Sequence, residues 1–126
     1  AKRRLEAVLH PLIGAESRRE AEMATSPVVV FDVPLLAESK HWRDWVDRVL
    51  VVDCSPQTQT ARVAQRPGWT REAAERVIAA QASRVARRTI ADAVIYNEDI
   101  DLDALEVAVD RIWSLWKPAA HTPVEQ

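Results

Sequence analysis

Asp32 closes the apolar run Val28-Val29-Val30-Phe31, and Pro34 stands two residues beyond it. A carboxylate delivered at the end of a buried strand is suited to three kinds of phosphoryl chemistry. In nucleotide-binding P-loop proteins it holds magnesium, which offsets charge on the transferring group. In phosphoaspartyl hydrolases it is the nucleophile, and in response receivers it accepts a phosphoryl group. The hydrolase pattern wants a second Asp at the position of Pro34. The receiver pattern wants a lysine at the end of a late strand, whereas the only lysines are Lys2, Lys40 and Lys117. The magnesium reading survives, against the plain alternative that a core strand ends in a polar turn residue.

Arginine supplies the complementary charge. Residues 62–88 hold 7 basic and 2 acidic side chains, against 8 and 9 in residues 1–61 and 2 and 8 in residues 89–126, an asymmetry hidden by the net charge of -2. The seven are Arg62, Arg66, Arg71, Arg76, Arg84, Arg87 and Arg88. Guanidinium forks match phosphate oxygens, so the local surplus points to an anionic ligand rather than to general nucleic-acid binding. The alternative is a solvated helix face, which covers Arg71 and Arg76, with Glu72 and Glu75 near enough to pair with them. The lone Cys54 has no partner for a disulfide or a zinc site and reads as a small buried residue at a strand end.

Those residues need a scaffold. At 126 residues, 48% hydrophobic and 29% charged, with two glycines, the chain has the composition of one ordered domain. Its apolar runs are too short to span a bilayer, and a cytosolic protein is the default. Leu5, Val8, Leu9, Leu12 and Ile13 predict a helix over residues 3–24, broken or restarted at His10-Pro11. Residues 28–32 read as a central parallel strand, apolar throughout and covered on both faces, stopped by Pro34. Trp42 and Trp45 offer apolar cover.

Residues 49–53 read as a second strand ending in Asp53. Ser55 as N-cap and Pro56 at the first helical position open a helix that runs to about residue 65 or 66, before Pro67-Gly68. Thr70 caps a further helix with Ala73, Val77, Ile78, Gln81 and Val85 on one side and Arg84, Arg87 and Arg88 at its far end. Residues 93–96 form a short strand, followed by an acidic loop. Leu102, Leu105, Val109, Ile112 and Trp116 mark a last helix packed by one face. The order is that of a wound α/β protein.

Six stretches, LHPLI (9–13), VVVFDVPLLAE (28–38), VLVVD (49–53), QTARVAQR (59–66), TREAAERVIAAQ (70–81) and ADAVIYN (91–97), come in the order seen in bacterial dephospho-CoA kinase. The resemblance covers nearly the whole chain up to Trp116. It implies a P-loop nucleoside monophosphate kinase-like α/β fold with a parallel sheet and a helical lid at about residues 66–90, within a kinase domain over residues 1–116 and before a flexible tail at 117–126. It implies transfer of the ATP γ-phosphoryl group to the ribose 3′-hydroxyl of dephospho-CoA, with ATP and Mg2+, in the cytoplasm, and with neither nucleic acid nor membrane as partner.

By the same resemblance, Asp32 is the catalytic carboxylate on the magnesium side, and Arg66 is the lid arginine that reaches ATP phosphates. Asn97 stands beside the adenine. His10, Pro34, Leu35, Leu36 and Glu38 lie on the acceptor side. Gln81 and Arg84 position the lid. Two positions depart from the family: Ala37 stands where an aromatic residue is common, and Glu98-Asp99 where a glycine soon follows Asn97.

No G-x-x-x-x-G-K-[ST] motif is present, since Gly14 and Gly68 are the only glycines. The expectation is therefore a kinase domain incomplete at its N-terminus, inactive and marginally stable by itself because central strand edges lack partners. The competing readings are a non-catalytic nucleotide- or polyanion-binding module and a related kinase with a nucleoside monophosphate acceptor.

Overall fold

The computed structural model describes residues 2–33, 42 and 44–117. The chain divides into two units, residues 1–32 with 117–126, and residues 33–116.

The first unit contains α1, Lys2–Met23, which runs through Pro11 without interruption. The expected break at His10-Pro11 does not occur. The φ of proline is already helical, so the helix continues through it at the loss of one backbone hydrogen bond. Arg19 pairs with Glu16 on its surface.

Residues 24–33 carry no helix or strand, which corrects the strand expected at residues 28–32. An apolar run records a preference for burial, whereas a strand also needs a ladder. Among the described residues the only strand pairing lies elsewhere, and Val30 is 82% exposed.

In the second unit β1, Leu50–Asp53, pairs in parallel with β2, Ala93–Tyr96, in the register Leu50↔Ala93 to Asp53↔Tyr96. The start of the ladder is set by Asp92, whose Oδ2 accepts from the Val49 amide at 2.7 Å while its own amide donates to the Val49 carbonyl at 2.8 Å. Val49 and Ile95 are buried, but Leu50, Val52, Val94 and Tyr96 remain exposed. Neither strand is therefore fully covered.

Between the strands run three helices: α2, Pro56–Ala64; α3, Arg71–Ala80; and α4, Arg84–Ile90. The Ser55 side chain accepts from the Thr58 amide, and that of Thr70 from the Ala73 amide, so both sequence-predicted caps form. Gly68, at φ +81° in the turn between α2 and α3, occupies the left-handed region that favours glycine. α3 packs on α2, and its Ala74 is fully buried.

The single helix expected beyond Thr70 is two. Gln81 turns extended, and Ser83 begins α4 by accepting from the Ala86 amide at 3.1 Å. A serine that caps its own amides offers the backbone a better alternative than continuing α3. α4 packs on β1 and α5, Leu102–Trp116, packs on β2. Leu105, Ala108, Ile112 and Trp116 form the half-buried stripe of α5. Trp42 and Trp45 stack tilted, with centroids 5.2 Å apart, in agreement with a packing role.

Asp99, between β2 and α5, has φ +54°. Asp99→Val is expected to lower stability by about 1–2 kcal/mol, because a β-branched side chain clashes in this region, whereas Asp99→Gly is tolerated. Urea midpoints of the two variants check this; equal midpoints would show that the turn relaxes without cost.

Candidate functional site

The C-terminal ends of both strands meet the starts of α2 and α4, and the side chains that gather there explain one another. Asp53 ends β1 and is 4% exposed, so its charge needs a partner. Arg84, in the first turn of α4, supplies it as a fork: Nε donates to Oδ1 at 3.1 Å and Nη2 to Oδ2 at 2.9 Å. That pairing holds the Asp53 carboxyl below its ordinary range against the opposing effect of burial, with Arg88 adding to the field. The Asp53 carbonyl accepts from the Asn97 amide at 2.7 Å, which extends the β1–β2 register one step and fixes Asn97 beside the pair.

Glu98 forms the second node. Its carboxylate accepts from the hydroxyls of Ser55, Thr58 and Tyr96, and from the Ser55 amide at 3.1 Å. An anion here also suits the positive end of α2. The hydroxyl donors, Ser55 first, bring the Glu98 pKa down to about 2. The same contact raises that of Tyr96, whose proton is held by the carboxylate. The acidic loop is thereby tied to the start of α2.

Between these nodes lies a cleft of about 190 Å³ lined by Val52, Asp53, Cys54, Gln59, Arg62, Arg87 and Asn97. Asn97 is thus the sequence-predicted site residue that the cleft includes. Cys54 is half-buried in its wall rather than deep in the core. Arg66 is exposed in the turn after α2, its amide donating to the Val63 carbonyl at 3.1 Å, and does not line the cleft. Arg71 pairs with Glu75 on the surface, as the solvated reading expects.

Asp32 is exposed and belongs to the first unit. Pro34, Leu35, Leu36 and Glu38, and the side chain of His10, lie outside the described residues. Among the described residues no group of three His, Cys, Asp or Glu side chains forms a metal cage. Magnesium does not require one, since it is commonly held by one or two carboxylates with phosphate oxygens and water. Also among the described residues, no helix is long and apolar enough to cross a membrane.

The sequence did not single out Gln59, Arg62, Arg87 and Glu98 as site residues. For Arg62 and Arg87 a signal existed in the arginine-rich segment, but it did not separate arginines facing the strand ends from those facing solvent.

The model of the family described as dephospho-CoA kinase matches residues 1–102. The dephospho-CoA kinase of Burkholderia lata is 55% identical over 112 residues, which are 89% of this chain and 55% of that protein. That of Albidiferax ferrireducens is 50% identical over 115 residues, 89% of this chain and 54% of the relative. The Bordetella pertussis protein is 53% identical over 98 residues, 78% of the chain and 46% of the relative. The chain spans about half the length of these curated relatives. With the family model matching most of its length, the chain belongs to the dephospho-CoA kinase family.

Proposed function

We propose that the protein containing this chain transfers the γ-phosphoryl group of ATP to the 3′-hydroxyl of the ribose in dephospho-CoA. What carries this reading is identity with dephospho-CoA kinases along almost the whole chain. In it Asp32 would hold magnesium together with phosphate oxygens and water, and the ion would offset charge on the phosphoryl group as it moves. Arg66 contributes a guanidinium to the ATP phosphates from a lid at about residues 66–90. Asn97 stands beside the adenine, in keeping with its place at the end of β2. His10, Pro34, Leu35, Leu36 and Glu38 serve the acceptor. Such nucleotide chemistry belongs in the cytoplasm. The cradle for the phosphates must come from sequence outside these 126 residues, which lack the glycine-rich motif.

The test is an ADP-release assay on the gene product read from its natural start, with dephospho-CoA and adenosine monophosphate as rival acceptors. Turnover is expected with dephospho-CoA alone. Turnover with adenosine monophosphate would transfer the acceptor assignment to another kinase class. Silence with both acceptors would leave a nucleotide-binding module.

A further inference from the structure

Glu98 is held from three elements at once. Its carboxylate accepts from the hydroxyl of Tyr96 at the end of β2, from the hydroxyl and amide of Ser55 in the turn after β1, and from the hydroxyl of Thr58 in the first turn of α2. The Ser55 hydroxyl also caps α2 by accepting from the Thr58 amide at 3.2 Å, so the carboxylate and the helix share one anchor. Bonds to an ionised acceptor are the stronger kind, and four of them make a firm tie. Glu98 takes no part in the Asp53–Arg84 pair and does not line the cleft. What the tie holds is its neighbour, Asn97, which does line it. On one side the Asn97 amide donates to the Asp53 carbonyl at 2.7 Å. On the other, Glu98 is fastened to the start of α2, and Asp99 turns at φ +54°, a region few non-glycine residues occupy. Gln59 of α2 lines the same cleft, so the tie also sets the spacing between the helix that carries Gln59 and the loop that carries Asn97. An asparagine amide offers a donor and an acceptor side by side, a pattern that reads the edge of a base only when its backbone is fixed.

We infer that Glu98 is a positioning residue: by tying the loop after β2 to the start of α2, it fixes the Asn97 amide against the base of a bound nucleotide. The inference rests on the proposed function for the identity of that nucleotide, ATP, and for the place of Asn97 beside its adenine. Because Glu98 stands outside the cleft, its effect on binding passes through Asn97.

The experiment is a double-mutant cycle, read by calorimetric titration of ATP into the protein read from its natural start. Glu98→Ala is expected to weaken ATP binding about tenfold, the scale of misplacing one base contact, and Asn97→Ala about as much. The double variant should bind within about twofold of Asn97→Ala, since a tie that acts through Asn97 then has nothing left to position. Inorganic tripolyphosphate, which carries no base, should not distinguish Glu98→Ala from the parent. Circular dichroism monitors folding. Should Glu98→Ala disturb the fold, Thr58→Val carries the test, because it removes one hydroxyl from the far end of the tie and keeps the shape of the side chain. Its expected loss is about threefold for ATP, and absent in the Asn97→Ala background. Three results overturn the positioning role: ATP affinity within about twofold of the parent in the variants that fold, losses that multiply in the double variant, or tripolyphosphate binding that falls in parallel with that of ATP. A parent that binds no ATP overturns the role together with the nucleotide reading. ATP binding that follows the expected cycle without any turnover of dephospho-CoA overturns the kinase reading alone.

Discussion

Asp32→Asn, introduced in the protein read from its natural start, is expected to lower kcat for dephospho-CoA about 10²–10³-fold, the scale of losing one well-placed electrostatic group at a transferring phosphoryl centre. The exchange keeps size and shape and removes a charge, so it tests the carboxylate rather than the space it fills. Asp32 is exposed and lies in a stretch without strand pairing. Neutralising it therefore breaks no buried pair, and the urea midpoint should shift little. Because the carboxylate is assigned to the magnesium side, the KM for dephospho-CoA should also change little, and the loss should appear in kcat. A variant that keeps kcat within about threefold would return Asp32 to the plain role of a polar residue after an apolar run. Equal falls in kcat and in stability would point to a structural role instead.

What the sequence made legible follows the range of the interactions involved. Ser55-Pro56 and Thr70 announce helix starts because a cap is settled within three residues, and both caps form as expected. The strand at residues 93–96 and the last helix were legible from apolar spacing and flanking polar residues. The α/β class follows from their order. Ser83 shows how a local signal is overlooked: the apolar spacing of Val77, Ile78, Gln81 and Val85 runs through it, yet its hydroxyl caps a new helix. At residues 28–32 the error has the opposite cause, because hydrophobicity is local while pairing is not. The site was hardest to foresee where its contacts are longest in sequence. Asp53 and Arg84 are 31 residues apart, and Glu98 reaches back 43 residues to Ser55, so neither node has a motif. Family resemblance brought Asn97 into view, but it did not identify the two arginines that share its cleft.

Arg84→Met should lower the stability of the chain by about 2–3 kcal/mol near pH 7, below the range for breaking a fully buried ion pair because one partner is partly in water. The two sides of the pair are unequal. The Asp53 side chain is 2% exposed and that of Arg84 31%, so losing the arginine strands a buried charge, while losing the aspartate leaves a guanidinium that water reaches. Asp53→Asn is accordingly expected to cost less than Arg84→Met, and the double variant less than the two single losses added together. Acid should separate this account from simple loss of packing. In the parent, the folded carboxyl is held below its ordinary 3.8, so its contribution is complete above that pH and is lost as the pH falls through the lower folded value. In Arg84→Met burial is opposed only by the smaller effects of Arg88 and the Cys54 amide, and it raises the folded value. The carboxyl then favours the folded state only where it is protonated, and the deficit grows as the pH rises. The gap between parent and variant should therefore be widest near neutrality and narrow below about pH 4. Glu98 titrates in both proteins and cancels from the difference. Urea midpoints across that range decide the matter: a gap independent of pH would mean that Arg84 stabilises the end of β1 through its carbon chain, and not through its charge.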